Sequence, residues 1–149
     1  MRYDEYWRER CDRPSTRARS ERRARLALEV LEADGARAPS RACDRPWSLV
    51  EVGCGPGVAL DVFASAGYDA EGTDISDVAL EAARARGLRV AKQPIESIAE
   101  VGSSPVDVIV ALEVLEHIVD PLAALRSMAR RLAPGGRLVV SLPNELHLL

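Results

Sequence analysis

At 149 residues, 47% hydrophobic and 29% charged, the chain has the length and composition of one folded domain with a single core. Its net charge of −3 hides a division, since residues 1–45 carry 12 arginines against 9 acids and the remainder is acidic. With no basic-aromatic interleaving, one Phe and no apolar run near the roughly 18 residues of a membrane span, neither a nucleic-acid partner nor a membrane is expected.

Along the chain, residues 1–14 are polar, with Tyr3, Tyr6 and Trp7 close together. Residues 15–34 predict a helix, because Leu26, Val30 and Ala33 recur at helical spacing and Gly35 stands where a helix stops. The arginines of this region suit a solvated helix face offset by its acids, or a surface that meets phosphate or an acidic partner. Residues 36–46, with Pro39 and Pro46, read as a linker. This divides the chain into an N-terminal helical segment and linker, 1–45, and a domain, 46–149.

From Trp47 the pattern becomes an alternation of strand and helix. A strand over Ser48–Val52 runs into a glycine turn, and a helix over Val58–Ala66 ends at Gly67. A second strand is expected over Tyr68–Thr73, a helix capped by Ser76 over 77–86, and a short third strand over Leu88–Ala91. A brief helix follows over 95–101. Val106–Leu112 is apolar enough for a strand buried on both faces. Asp120-Pro121 starts a helix that runs to about Leu132, Pro134-Gly135-Gly136 turns the chain, and a fifth strand covers Arg137–Leu142. Such alternation predicts an α/β fold: a Rossmann-like, doubly wound, mostly parallel sheet of about five strands with helices on both faces. Ligands of such sheets bind beyond the carboxyl ends of the strands.

Two features there carry chemistry. Gly53-Cys54-Gly55-Pro56-Gly57 lies between the first strand and the next helix, where bare backbone and unpaired N–H groups can face a ligand, or where the chain simply turns. Asp74 ends the second strand, where a carboxylate can accept both hydroxyls of a ribose, cap the following helix, or do both. The spacing is GxGxG, not the GxGxxG of dinucleotide sites, and Glu51 precedes it. A negative charge there suits a ligand with an ammonium group better than a pyrophosphate. This favours an amino-acid nucleoside over NAD, with an NAD-binding module as the weaker rival.

These residues carry a family resemblance. Leu49-Val50-Glu51-Val52-Gly53-Cys54-Gly55-Pro56-Gly57 resembles motif I of the class I S-adenosylmethionine-dependent methyltransferases, and Gly72-Thr73-Asp74-Ile75-Ser76 resembles their second acidic motif. Leu112-Glu113-Val114-Leu115-Glu116-His117-Ile118-Val119-Asp120-Pro121 resembles the segment after strand four in the branch that includes the ubiquinone-biosynthesis O-methyltransferases. Leu132-Ala133-Pro134-Gly135-Gly136-Arg137-Leu138 resembles the turn before strand five. The resemblance implies S-adenosylmethionine as cofactor, with Gly53, Cys54, Gly55 and Gly57 along its methionine part and Glu51 near its amino group. It places Asp74 on the ribose and Ile75 on the adenine, with Leu112 and Glu113 closing the pocket. Where relatives carry an Asp-Ala-Glu segment, this chain has Gln93-Pro94-Ile95-Glu96, which leaves Ile95 and Glu96 as the expected contacts and removes an N–H at Pro94.

The implied reaction is methyl transfer to a small-molecule acceptor, at oxygen by analogy; the alternative is a cofactor-binding subunit without catalysis. His117 is the candidate base, or else a residue that orders the turn before Asp120. Tyr3, Tyr6 and Trp7 could form a lid near the acceptor. Relatives continue into sixth and seventh strands that this sequence lacks, which implies a truncated product, an oligomer paired at the edge of the fifth strand, or an N-terminal segment folded over the gap. Cys11, Cys43 and Cys54 form no CxxC or zinc spacing, Cys54 has no paired base, and Met1–Glu5 starts no secretory signal. A cytoplasmic protein without disulfides or metal is therefore expected.

Overall fold

A computed structural model of the chain describes residues 3–35, 45–100 and 104–144. Most of the expected linker lies outside those residues. Five strands, β1 (Ser48–Val52), β2 (Asp69–Asp74), β3 (Val90–Lys92), β4 (Val106–Leu112) and β5 (Leu132–Ser141), form one sheet in the order β3-β2-β1-β4-β5. Every pair is parallel. The order reverses at β1, which opens a crevice beyond its carboxyl end.

Helices cover both faces. Alternation along β1 sends Leu49 to one side and Val50 and Val52 to the other. On the first side, α2 (Pro14–Ala33) and α3 (Val58–Ser65) bury Ala24, Ala27, Leu31, Leu60 and Phe63 against Leu49, Val108 and Val110. On the second, α5 (Pro121–Arg131) and a 3-10 turn over Ile95–Glu100 bury Ala124, Met128 and Ile98 against Val50, Val52 and Ile109. A strand covered twice must be apolar on both sides, which is why β4 reads as a nearly continuous apolar run, interrupted by Asp107 at its amino end. The expected caps are present: Ser76 accepts from the Ala79 N–H at 3.2 Å at the start of α4 (Asp77–Ala85), and Asp120 accepts from the Ala123 N–H at 2.9 Å.

Three elements differ from expectation. Residues 3–10, unassigned in the sequence, form a helix, α1 (Tyr3–Arg10). It buries no residue and so has no apolar stripe to read; its acids Asp4 and Glu5 in the first turn and Arg8 and Arg10 in the last suit the helix dipole instead. The third strand begins at Val90, where pairing with Gly72 starts, rather than at Leu88. Leu132 already pairs with Val106, and the chain then detours through residues 133–136 before Arg137 rejoins the ladder opposite Val108. The Pro134-Gly135-Gly136 turn therefore lies inside β5.

Candidate functional site

A cavity of about 340 Å³ opens at the carboxyl ends of β1, β2 and β4, a size within the range of small-molecule sites. From the glycine turn and β2 it takes Gly53, Asp74 and Ile75, and from the stretch after β3 Gln93, Pro94, Ile95 and Glu96. The segment after β4 adds Glu113, Val114, His117, Ile118 and Val119, and α1 adds Tyr3, Tyr6 and Trp7. The wall contains three carboxylates and neither Lys nor Arg, which suits a ligand carrying positive charge.

Asp74 organises the floor. It is 7% exposed; its Oδ2 accepts from the Gly55 N–H at 2.8 Å and its Oδ1 from the Ser76 N–H at 2.9 Å. One carboxylate thus ties the glycine turn to the start of α4, and each oxygen keeps a lone pair for a ligand.

The glycine turn is more self-contained than expected. Its amides do not stand free: Cys54 donates to the Thr73 carbonyl at 2.9 Å, Gly55 to Asp74, and Gly57 to the Cys54 carbonyl at 3.0 Å. Gly55, at φ +53°, is covered by the Trp7 ring, which would lie 2.6 Å from a Cβ there. Gly57, at φ +78°, packs on α4 and the residues after it, where a Cβ would meet Leu88 at 2.4 Å. Both positions need bare backbone, though for packing within the chain. Cys54 is buried, and that burial, then Glu51 and Asp74, pushes its thiol up, which leaves no thiolate for nucleophilic work.

Glu51, expected beside the cavity, is buried behind the turn at 3% exposure. It receives the Leu60 N–H, while its Oε2 has no hydrogen-bond partner. Burial, then the Asp74 charge, raises its pKa well above the usual carboxylate range, against the lowering effect of the Leu60 bond. Leu112 packs into the core. Of the residues singled out in the sequence, Gly53, Asp74, Ile75, Ile95, Glu96, Glu113 and His117 line the cavity; Glu51, Cys54, Gly55, Gly57 and Leu112 do not. The reason for those five is direction: their side chains, or the atoms that cover them, face the protein.

Glu113 has the one positive φ outside glycine among the described residues, +56°. Its Oε2 accepts from Arg23 on α2 at 3.0 Å and its Oε1 from the Ser141 hydroxyl at 3.0 Å, so β4, β5 and α2 meet on one strained residue. His117 sits in the 3-10 turn Leu115–His117, its side chain half exposed at the cavity, with Nε2 3.9 Å from Glu116 Oε1. Sequence reasoning gave no role to Val114, Ile118 and Val119, whose apolar character reads equally well as core, or to Arg23, 90 residues from its partner.

A family model described as a methyltransferase domain matches residues 6–148. The ubiquinone biosynthesis O-methyltransferase of Idiomarina loihiensis is 33% identical over 103 residues, 65% of this chain and 42% of that protein. The enzyme of the same description from Caulobacter vibrioides is 35% identical over 126 residues, 80% of this chain and 48% of that protein. The chain therefore spans less than half the length of these relatives. Among solved structures, a sugar N-methyltransferase from a Streptoalloteichus species superposes with a TM-score of 0.69 at 24% identity, over 95% of this chain and 53% of that one, a likeness of fold.

Proposed function

The chain belongs to the class I S-adenosylmethionine-dependent methyltransferases, and from that premise we propose that it binds S-adenosylmethionine in the cavity beneath α1 and transfers a methyl group to a small-molecule acceptor at oxygen. The observation that carries this reading is Asp74, a buried carboxylate on the cavity floor with one lone pair left on each oxygen. Such a group suits a pair of ribose hydroxyls. The other residues fit as well. Gly53 offers backbone without a side chain, Ile75 and Ile95 give apolar surface for the adenine, and Glu96 and Glu113 add acceptors at the wall. Behind them Cys54, Gly55, Gly57 and Leu112 hold the shape of the turn and of β4. The unpartnered Oε2 of Glu51 gives an ammonium group an acceptor to reach through ordered water.

When bound, the cofactor supplies a sulfonium methyl with a good leaving group. The protein's work is then to orient the acceptor and exclude water. His117, which lines the cavity, would take the proton of an acceptor hydroxyl, with Tyr3, Tyr6 and Trp7 of the N-terminal segment walling the same cavity. We also propose a cytoplasmic setting, and self-association at the outer edge of β5, an end strand of the sheet.

Isothermal titration with S-adenosylmethionine and S-adenosylhomocysteine tests the first half, and no binding at millimolar ligand overturns it. Asp74→Asn is expected to weaken binding about 30- to 150-fold, since a charge-assisted acceptor contributes about 2–3 kcal/mol. Unchanged affinity would move the ribose elsewhere. Binding without methylation of any hydroxylated acceptor would favour a cofactor-binding subunit instead.

A further inference from the structure

Helix α1 walls the cavity yet is lightly attached. It buries none of its 8 residues, and a helix of that length is marginal by itself. Trp7 and Asp4 seat its inner face. Trp7 rests on Gly55, and Asp4 reaches the start of α4, where its Oδ1 accepts from the Ser76 hydroxyl at 2.6 Å and the Val78 N–H at 3.4 Å. Asp4 is thereby a second cap on α4, from 72 residues away, with its charge at the favourable end of that helix.

Ser76 is shared between two carboxylates. Its N–H donates to Asp74 Oδ1 at 2.9 Å and its hydroxyl to Asp4, so one hydrogen-bonded chain runs from the cavity floor to α1. The other oxygen of Asp74 holds the N–H of Gly55, the residue under Trp7. Both supports of α1 are therefore fixed by the carboxylate assigned above to the ribose.

We infer that α1 is a gate and that Asp4 is its latch, a positioning residue that sets how fast a ligand enters and leaves. This rests on the cofactor reading of the cavity. Opening the gate breaks the bonds of Asp4 and lifts Trp7, and it leaves the core intact because α1 contributes nothing to it.

The test uses the 149-residue chain with Trp47→Phe, so that Trp7 is the remaining one of its two tryptophans. Stopped-flow fluorescence then follows S-adenosylhomocysteine. Asp4→Ala is expected to raise both the association and the dissociation rate about threefold to fivefold, the scale of an exposed polar pair, with Asp4→Asn between it and the parent. The dissociation constant should change less than about twofold, since both rates move together. Losing this second cap should lower the melting temperature slightly, and the rates tell the two roles apart: a merely structural Asp4 would lower the melting temperature and leave the rates alone. In the ligand-free protein, amide hydrogen exchange of α1 should quicken in Asp4→Ala. Unchanged exchange and unchanged rates overturn the latch. If the parent chain binds no S-adenosylhomocysteine, the cofactor reading fails and exchange alone decides whether Asp4 latches α1.

Discussion

Glu51 is 3% exposed on β1, receives one backbone N–H and has a carboxylate oxygen without a partner. Its raised pKa has a sign that stability can report. The unfolded chain releases this proton near the ordinary glutamate value of about 4.3, while the folded chain holds it to higher pH. Folding is therefore unpenalised below that value and loses stability as pH rises toward the folded pKa. Glu51→Gln removes the titration. Melting curves should show the two proteins alike near pH 4 and the variant more stable at pH 7. A less stable variant at pH 7 would mean an ionised, paired carboxylate. Residue identity alone did not announce this. An acid before a glycine turn suggested a charge facing a ligand, whereas alternation along β1 turns the side chain into the α2–α3 face of the sheet. Glu113 differs from Leu112 for another reason: it stands just past the end of β4 with a left-handed φ of +56°, and that turn brings it to the cavity while Leu112 packs into the core.

Between elements, the amino ends of β1 and β4 are joined by a clasp of side chains. Asp107 accepts from the Ser48 N–H at 2.8 Å, the Ser48 hydroxyl at 2.9 Å and Arg45 at 2.8 Å, and its own N–H donates to Ser48 Oγ at 3.0 Å. Burial pushes the Asp107 pKa up, but the bonds from Arg45 and Ser48 outweigh it and hold it below the ordinary value. Its contribution is complete above the unfolded value of about 3.9 and is lost as pH falls through the depressed folded value. Asp107→Asn should cost about 1–2 kcal/mol at neutral pH, a difference that shrinks to nothing in acid melts. An equal loss at both pH values would assign the cost to packing. Elements were the most legible level of this chain. β1, β4 and α5 begin and end where apolar runs meet Gly53, Glu113 or the Asp120-Pro121 cap. The start of β3 and the detour in β5 depend on which residue of a neighbouring strand is opposite, and local pattern does not carry that. α1 escaped because its fit to the molecule is polar and aromatic rather than a stripe of buried apolar residues.

Across the whole molecule, the cavity is assembled from segments far apart in sequence. The motif residues Gly53, Asp74 and Glu113 converge because parallel strands all deliver their carboxyl ends to the same side, which the strand–helix alternation made readable. Their couplings, Arg23 to Glu113 and Asp4 to Ser76, join the N-terminal helices to that side and belong to the tertiary fold alone. The detour in β5 sits at the opposite pole of the sheet, where that strand begins. A Cβ on Gly135 would meet nothing within 4 Å, and the cost of a side chain there is its φ of +76°, about 1–2 kcal/mol. That spot is a natural handle: a dye, a surface tether or a spliced peptide grafted at Gly135 should leave affinity for S-adenosylhomocysteine unaltered by titration. The protein could thus be immobilised or labelled from behind while its working mouth stays free.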